Sequence, residues 1–191
     1  MRRNIAILAS GNGTNAEQII RYFQKNDVAE VKLVLSNRRQ AYVMQRAQAL
    51  QVRCEYVPKE EWVEGEAVLR LLREYSIDFL VLAGFLAKIP KVVLQAYPEM
   101  IVNIHPSLLP KFGGKGMYGD KVHQAVVAAG ESESGITIHY INERYDEGAV
   151  IAQYRCPVFP SDTPLDVAAR VHALEYRYYP EVIEHLLLAA K

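Results

Sequence analysis

Hydrophobic and polar positions follow two patterns along the chain. Short runs of strand character occupy residues 4–8, 30–35, 53–57, 79–83, 101–104, 135–140 and 150–157. Most of them are continuous apolar segments, which are typical of strands buried on both faces. Between these runs, apolar residues recur at helical spacing, which predicts helices over residues 14–25, 42–50, 60–75, 90–96, 121–129 and 163–190. Strands and helices therefore alternate along the sequence.

This alternation predicts parallel strands joined by right-handed crossovers. We expect an α/β fold with a single Rossmann-like, doubly wound, mostly parallel sheet of about seven strands and helices on both faces. The later strands leave room for antiparallel pairing. No repeat, low-complexity tract or linker divides the sequence, so residues 1–191 are expected to form one domain.

The first predicted helix has the clearest local signals. Its apolar face is formed by Ala16, Ile19, Ile20 and Phe23. Thr14 stands at the start, and Glu17 follows three residues later, which is the spacing of a capping box. We therefore expect the Thr14 side chain to cap this helix.

The amino-acid composition reduces the number of function classes that fit this sequence. Lys and Arg total 22 and Asp and Glu total 22. The protein therefore has no overall positive field that would favour binding of nucleic acid. Cys54 and Cys156 are far apart and belong to no C-x-x-C pair, which indicates buried thiols in a reducing compartment and predicts a cytoplasmic protein. The N-terminal apolar run is too short for a signal peptide, and no apolar stretch approaches about 18 residues, so no membrane span is expected.

A glycine-rich turn follows the first strand and opens the first helix, with the sequence Ser10-Gly11-Asn12-Gly13-Thr14-Asn15. Bare backbone N–H groups at a positive helix end favour an anion there. The third glycine of a dinucleotide fingerprint is replaced by Ala16, and no acidic residue ends the second strand. We expect a single phosphate, although Gly11 and Gly13 could also serve only a tight turn.

A polar trio is predicted at the carboxyl edge of the sheet. Asn103 and His105 share one face of the fifth strand because side chains alternate with a period of two. Asn103 can donate to a carbonyl oxygen that gains negative charge, and His105 can shuttle a proton. Asp146, in the loop between the sixth and seventh strands, is expected to return to the same edge and to raise the pKa of His105. The trio suits acyl transfer in which the substrate's own amine is the nucleophile.

These segments resemble a known family over nearly the whole chain. The glycine turn and the sequences Asn103-Ile-His-Pro-Ser-Leu-Leu-Pro110 and Asp146-Glu-Gly148 are similar to the glycinamide ribonucleotide formyltransferases, folate-dependent enzymes of purine biosynthesis. The resemblance implies transfer of a formyl group from 10-formyltetrahydrofolate, as co-substrate, to the amine of phosphoribosylglycinamide. It implies small-molecule partners and no metal, nucleic acid or membrane. Monomer and homodimer both stay open.

The resemblance also implies which residues form the site. The catalytic trio would be Asn103, His105 and Asp146. The ribonucleotide would be bound by Gly11, Asn12, Gly13, Thr14, Asn15, His172 and Glu175. The folate would be bound by Leu86, Ala87, Lys88, Ile89, Asn103, Asn142 and Tyr145. Many relatives have arginine in place of Ala87, so we expect that contact to be absent or replaced by Lys88.

Several alternatives stay open. Similar domains transfer formyl groups to water or to initiator methionyl-tRNA, but they carry an additional domain that 191 residues would not accommodate, and the neutral charge balance weakens the tRNA alternative. A metal hydrolase would use His105, His139 and Asp146. A third alternative is a non-catalytic sugar-phosphate binding module.

Some residues receive only general expectations. From the residues alone, Glu175 would lie on a solvated helix face. His123, His172 and His185 fall on predicted helices and are expected at the surface or in packing, although His172 lies near enough to Glu175 to line the site. The glycine-rich loop over residues 111–120 is expected to be either a mobile lid or an ordinary surface loop, and Lys115 within it receives no role.

Overall fold

The computed structural model describes residues 2–189 and contains a single seven-stranded sheet. Its strands are β1 (Arg3–Leu8), β2 (Ala29–Ser36), β3 (Arg53–Tyr56), β4 (Phe79–Leu82), β5 (Ile101–His105), β6 (Glu133–Tyr140) and β7 (Val150–Pro157). Its helices are α1 (Thr14–Phe23), α2 (Tyr42–Ala49), α3 (Glu61–Glu64), α4 (Glu66–Glu74), α5 (Lys91–Ala96), α6 (Asp120–Ala128) and α7 (Pro164–Ala189). The predicted last helix extended to Ala190, which lies outside the described residues.

The strand order across the sheet is β3-β2-β1-β4-β5-β6-β7. The pairs among β1 to β5 are parallel, whereas β6 pairs antiparallel with β5 and with β7. The predicted α/β fold and mostly parallel sheet are thus confirmed. The strand order reverses between β1 and β4, and α/β sheets bind ligands beyond the carboxyl ends of strands at such a point.

The sheet separates two apolar layers, as expected for helices on both faces. Ile5 and Ile7 of β1 belong to one layer, which includes buried residues of α1, α2, α6 and α7. Ala6 and Leu8 of the same strand belong to the other layer, which includes buried residues of α3, α4 and α5. Because strand side chains alternate between faces, one buried strand supplies both layers.

The predicted helix over residues 60–75 is two helices, because Gly65 interrupts it. Gly65 has φ +83 and forms the boundary between α3 and α4. A Cβ atom there would lie 2.5 Å from the Cβ of Pro90. Left-handed backbone and close approach to a residue of another segment both favour glycine, and the apolar periodicity of the helix does not reveal either.

The predicted capping box of α1 is wrong. Gly13, with φ +79, is the N-cap residue, and no side-chain hydrogen bond caps the helix. Glu17 instead pairs with Arg21 and Arg46. A Cβ atom on Gly13 would lie 2.4 Å from Cγ2 of Val43, so the glycine brings the bare backbone of the turn against α2.

Helix α7 continues through Pro180 and is fixed to the ends of two central strands. The hydroxyl oxygen of the buried Tyr179 lies 2.8 Å from the carbonyl oxygen of Leu82 and 3.2 Å from that of Val102. This contact anchors α7 against β4 and β5, and His172 and Glu175 on the same helix line the cavity at the carboxyl edge of the sheet. In the described part of the chain, residues 2–189, no helix combines the length and the apolar character needed to cross a membrane.

Candidate active site

A cavity of about 590 Å³ opens at the carboxyl edge of β1, β4 and β5. The glycine turn, the loop after β5 and the first half of α7 form its walls. It is lined by twelve of the predicted site residues, namely Gly11, Asn12, Gly13, Thr14, Asn15, Leu86, Asn103, His105, Tyr145, Asp146, His172 and Glu175. Residues that are distant in sequence thus meet around one space.

A smaller cavity of about 70 Å³ adjoins the first and shares with it Phe85, Asn103, Tyr145 and Asp146. The remaining residues predicted to bind folate, Ala87, Lys88, Ile89 and Asn142, line this smaller cavity. Its apolar wall includes Leu82, Phe85, Ile89 and Ile141. An apolar slot with a few polar groups at its rim suits a flat heterocycle.

The predicted catalytic trio converges, together with one further histidine. In the β5–β6 ladder, Asn103 lies opposite His139 and His105 lies opposite Thr137. Asp146 is adjacent to both histidines, with its Oδ2 3.5 Å from His105 Nδ1 and its Oδ1 3.6 Å from His139 Nε2. The carboxylate therefore lies between two imidazoles at the carboxyl edge of the sheet, where β5 ends at His105.

The pKa of His105 is lowered, so the prediction that Asp146 raises it is wrong in its net direction. Only 4% of His105 is exposed, and this burial lowers the pKa more than the Asp146 carboxylate raises it. His105 Nε2 lies 2.8 Å from the carbonyl oxygen of Phe112, which can only accept a hydrogen bond. When the ring is neutral, its proton therefore lies on Nε2.

Asp146 is held in its ionised form. Burial acts to raise the pKa of its carboxyl group, yet the pKa lies below its ordinary value. The backbone N–H of Gly114 also donates to Oδ2 at 2.9 Å and contributes to this lowering. Across residues 2–189, no three His, Cys, Asp or Glu side chains are arranged to hold a metal ion.

The glycine turn is fixed by contacts to α2. Arg46 donates through Nε to the carbonyl oxygen of Asn12 at 2.9 Å and through Nη2 to its Oδ1 at 2.9 Å. Helix α1 begins directly after the turn, so its first N–H groups have no intrahelical acceptor. This arrangement leaves backbone donors and the positive end of a helix facing the cavity, which favours an anion such as phosphate.

Glu175 closes the opposite side of the same region. It is 5% exposed, so the expectation of a solvated helix face is wrong. Its Oε2 accepts a hydrogen bond from Asn15 Nδ2 at 2.9 Å and another from His172 Nδ1 at 2.8 Å. The bond to Glu175 raises the pKa of His172. The carboxylate thus joins α7 to the glycine turn.

Comparison with known proteins identifies the family to which the chain belongs. A family model described as formyl transferase matches residues 3–183. The chain belongs to the formyl transferase family. Phosphoribosylglycinamide formyltransferase of Bacillus subtilis (strain 168) is 38% identical over 190 residues, which are 97% of this chain and 95% of that protein.

Other family members agree with this assignment. The chloroplastic phosphoribosylglycinamide formyltransferase of Arabidopsis thaliana is 38% identical over 188 residues. The chain spans 64% of the length of that relative and 61% of the Vigna unguiculata one. Among solved structures, glycinamide ribonucleotide transformylase 1 from Geobacillus kaustophilus superposes with a TM-score of 0.89 at 35% identity, covering 98% of this chain and 100% of its own.

Sequence reasoning missed a titratable residue of this formyl transferase cavity. His123, expected at the surface or in packing, is buried in the first turn of α6 and lines the larger cavity. Its ring centre lies 5.9 Å from that of His172, and its Nδ1 has no hydrogen-bond partner within residues 2–189. Burial, followed by the neighbouring His172, lowers the pKa of His123. Its neighbours Val122 and Val126 are also buried, so a helical-face pattern was the available signal.

The glycine-rich loop is a wall of the formyl transferase site. Its residues 114–119 line the larger cavity, including Lys115. It also contacts the predicted trio twice, through the Phe112 carbonyl at His105 and the Gly114 N–H at Asp146. Of the two predicted alternatives, the ordinary surface loop does not fit these contacts, and the lid stays a prediction.

Proposed function

We propose that this formyl transferase moves the formyl group of 10-formyltetrahydrofolate to the amine of 5-phosphoribosylglycinamide, as the names of its relatives suggest. One observation carries the proposal. The trio of Asn103, His105 and Asp146 lies in the same cavity as an anion-binding helix end. A phosphorylated amine can therefore be held with its reactive end at the catalytic groups.

Each of the two cavities would bind a different substrate. The backbone of the glycine turn over residues 11–15 would hold the 5-phosphate, and Glu175 with His172 would contact the ribose and glycinamide portion. The smaller apolar cavity would take the pterin ring, with Asn142 at its rim and the exposed Lys88 beside it. Asn103 lines both cavities, so the formyl donor and the amine acceptor would meet there.

The trio can support each change of bonding. The acceptor amine attacks the formyl carbon, and Asn103 donates a hydrogen bond to the oxygen that becomes negative. The new C–N bond forms as the bond to the folate nitrogen breaks, and one proton must pass from the acceptor amine to that folate nitrogen. Asp146 and the neutral His105 are bases that can accept this proton and return it. The amine itself is the nucleophile, so no serine or cysteine is required.

A phosphate-bearing acceptor fits this site better than water or another amine. Transfer to water would not require an anion-binding site. The glycine turn, which Arg46 holds in place, and the start of α1 offer such a site. We also propose a cytoplasmic location, which the free thiols Cys54 and Cys156 support.

The test is one assay with a formyl-folate offered to glycinamide ribonucleotide, to water alone, or to charged initiator tRNA. We expect product only in the first arm. Asn103→Ala should lower turnover at least about 100-fold, as loss of an oxyanion donor commonly does. Gln95→Ala, which removes an exposed amide on α5, is the matched control and should retain full activity. Hydrolysis equal to transfer, or full activity in Asn103→Ala, would overturn the proposal.

A further inference from the structure

His139 occupies a buried position that the proposed function leaves without a role. It lies in β6, opposite Asn103, and its side chain is 0% exposed. It lines neither of the two cavities. It therefore does not touch substrate, and any effect on the reaction must pass through the groups it contacts.

The backbone fixes which nitrogen of His139 carries the proton. Nδ1 lies 2.9 Å from the carbonyl oxygen of Tyr140. A carbonyl oxygen only accepts hydrogen bonds, so Nδ1 must be the donor. In the neutral ring, Nε2 then carries a lone pair and no hydrogen.

This lone pair selects one orientation of the Asn103 amide. Nε2 of His139 lies 3.2 Å from Nδ2 of Asn103, so Nδ2 donates to it. The reversed amide would place the Oδ1 lone pairs against the Nε2 lone pair, which is repulsive. The selected orientation therefore keeps Nδ2, with its two N–H groups, beside His139.

Orientation matters because the two ends of an amide have opposite hydrogen-bonding character. With Nδ2 beside His139, one N–H donates to Nε2 and the second is left for the formyl oxygen. With the amide reversed, Oδ1 would face the Nε2 lone pair, and no hydrogen bond to His139 would hold the amide in place. Electrostatic stabilisation in an active site depends on donors that are already oriented before the reaction.

A glycine of the third motif keeps this arrangement possible. A Cβ atom on Gly148 would lie 1.7 Å from the carbonyl oxygen of Tyr140 and 3.5 Å from His139 Nδ1. Only glycine leaves room for the carbonyl that accepts from His139. The Asp146-Glu147-Gly148 segment thus contributes to the orientation of Asn103 as well as supplying the carboxylate.

We propose that His139 is a positioning residue, which accepts a hydrogen bond from Asn103 and thereby holds the amide with its donors toward the reacting oxygen. The proposal rests on the proposed function, because it needs Asn103 to be the oxyanion donor. It predicts that removing the acceptor at His139 lowers the rate of the chemical step and leaves substrate binding unchanged.

The first experiment compares three substitutions of His139. His139→Phe removes the acceptor at similar volume and should lower kcat by at least about tenfold, with the KM of both substrates changed less than about twofold, as loss of a group acting only in the transition state does. His139→Gln provides an amide oxygen at comparable reach and should keep kcat within about threefold. His139→Asn, which is shorter, should behave like His139→Phe. A kcat for His139→Phe within twofold of wild type, or equal losses in the Gln and Phe variants, would overturn the proposal.

The second experiment is a double-mutant cycle, which shows whether His139 acts through Asn103. In the Asn103→Ala background, His139→Phe should lower kcat by less than about twofold further, because the amide it orients is gone. Losses that multiply would contradict the proposal. Full activity in Asn103→Ala alone would instead refute the catalytic assignment on which the proposal rests.

A binding measurement separates positioning from general damage to the site. Calorimetric titration with tetrahydrofolate and with ribose 5-phosphate should give the same affinities for wild type and for each His139 variant, within about twofold. Weaker binding of both probes, together with a lower unfolding midpoint in all three variants, would show a structural role and overturn the proposal.

Discussion

Two histidine–carboxylate pairs border the same cavity, and their imidazoles shift in opposite directions. His105 lies 3.5 Å from Asp146, with its side chain 5% exposed, and its pKa is lowered. His172 lies 2.8 Å from Glu175, with its side chain 44% exposed, and its pKa is raised. A neighbouring carboxylate therefore does not by itself decide the charge of a histidine. Burial reverses the outcome where the contact is longer and water is excluded.

The two pairs are therefore suited to different tasks in the site. At the end of β5, a histidine with a lowered pKa lies beside a carboxylate with a lowered pKa, an arrangement that suits proton transfer. The pair on α7 favours a charged imidazole next to the anion cradle of α1, which suits binding of a phosphorylated substrate. Each of the following predictions removes or titrates one member of these pairs.

The largest effect is expected from Asp146→Asn. The amide keeps the shape of the carboxylate but is not a base, so the proton of the attacking amine loses its acceptor. Turnover should fall at least about 100-fold in steady-state kinetics. Asp27→Asn, an exposed position, is the matched control. Activity within tenfold of wild type would remove Asp146 from the chemistry.

A smaller effect is expected from Glu175→Gln. This change weakens the bonds to Asn15 and His172 and should raise the KM for the ribonucleotide about tenfold, which corresponds to about 1.4 kcal/mol. Turnover at saturation should change little, since Glu175 contacts neither Asn103 nor Asp146. Glu181→Gln on the same helix is the control. A change confined to kcat would place Glu175 in the chemical step.

The His105 pair predicts a loss of stability in acid. Because burial holds the pKa of His105 below its ordinary value of 6.5, the stabilisation is complete above that value and is lost as pH falls through the folded pKa. The slope cannot exceed about 1.4 kcal/mol per pH unit for one proton. Urea unfolding of wild type and His105→Gln between pH 7 and pH 5 should show the steeper loss in wild type. Parallel curves would contradict the lowered pKa.

The His172 pair predicts the opposite trend and the smallest effect. Its raised pKa gives stabilisation that is complete below the ordinary value of 6.5 and is lost as pH rises through the folded pKa. The unfolding free energy of wild type should exceed that of His172→Gln by more at pH 6 than at pH 9. The difference should stay below about 1 kcal/mol and shrink in salt, because the ring is half-exposed. His185→Gln controls for loss of an exposed histidine on α7.

The local pattern of apolar and polar residues was sufficient to predict most of the fold. The strands were predicted to within about two residues because buried parallel strands are continuous apolar runs between turns. Gly65 escaped prediction because its close approach is to Pro90, in another segment of the chain. The cap predicted at Thr14 does not form, because Gly13 adopts a left-handed backbone conformation and is itself the N-cap residue.

The site was predicted less completely than the fold. The period of two placed Asn103 and His105 on one face, the loop between the sixth and seventh strands supplied Asp146, and a motif resemblance supplied Glu175. The sequence did not reveal that His105 is neutral or that His123 lies in the cavity, since both depend on burial by elements that are distant in sequence. The relation of His139 to Asn103 depends on the β5–β6 register, which the apolar pattern does not determine.

The hydrogen bond between Asn15 and Glu175 spans 160 residues of sequence. During synthesis, the glycine turn leaves the ribosome early, but its partner on α7 follows only after nearly all of the sheet has been translated. Parts of a chain that emerge first can fold first, whereas this contact must wait for one of the longest loop closures in the molecule. A ribosome-bound fragment that ends before α7 would therefore contain Asn103, His105 and Asp146 without the contact between Asn15 and Glu175.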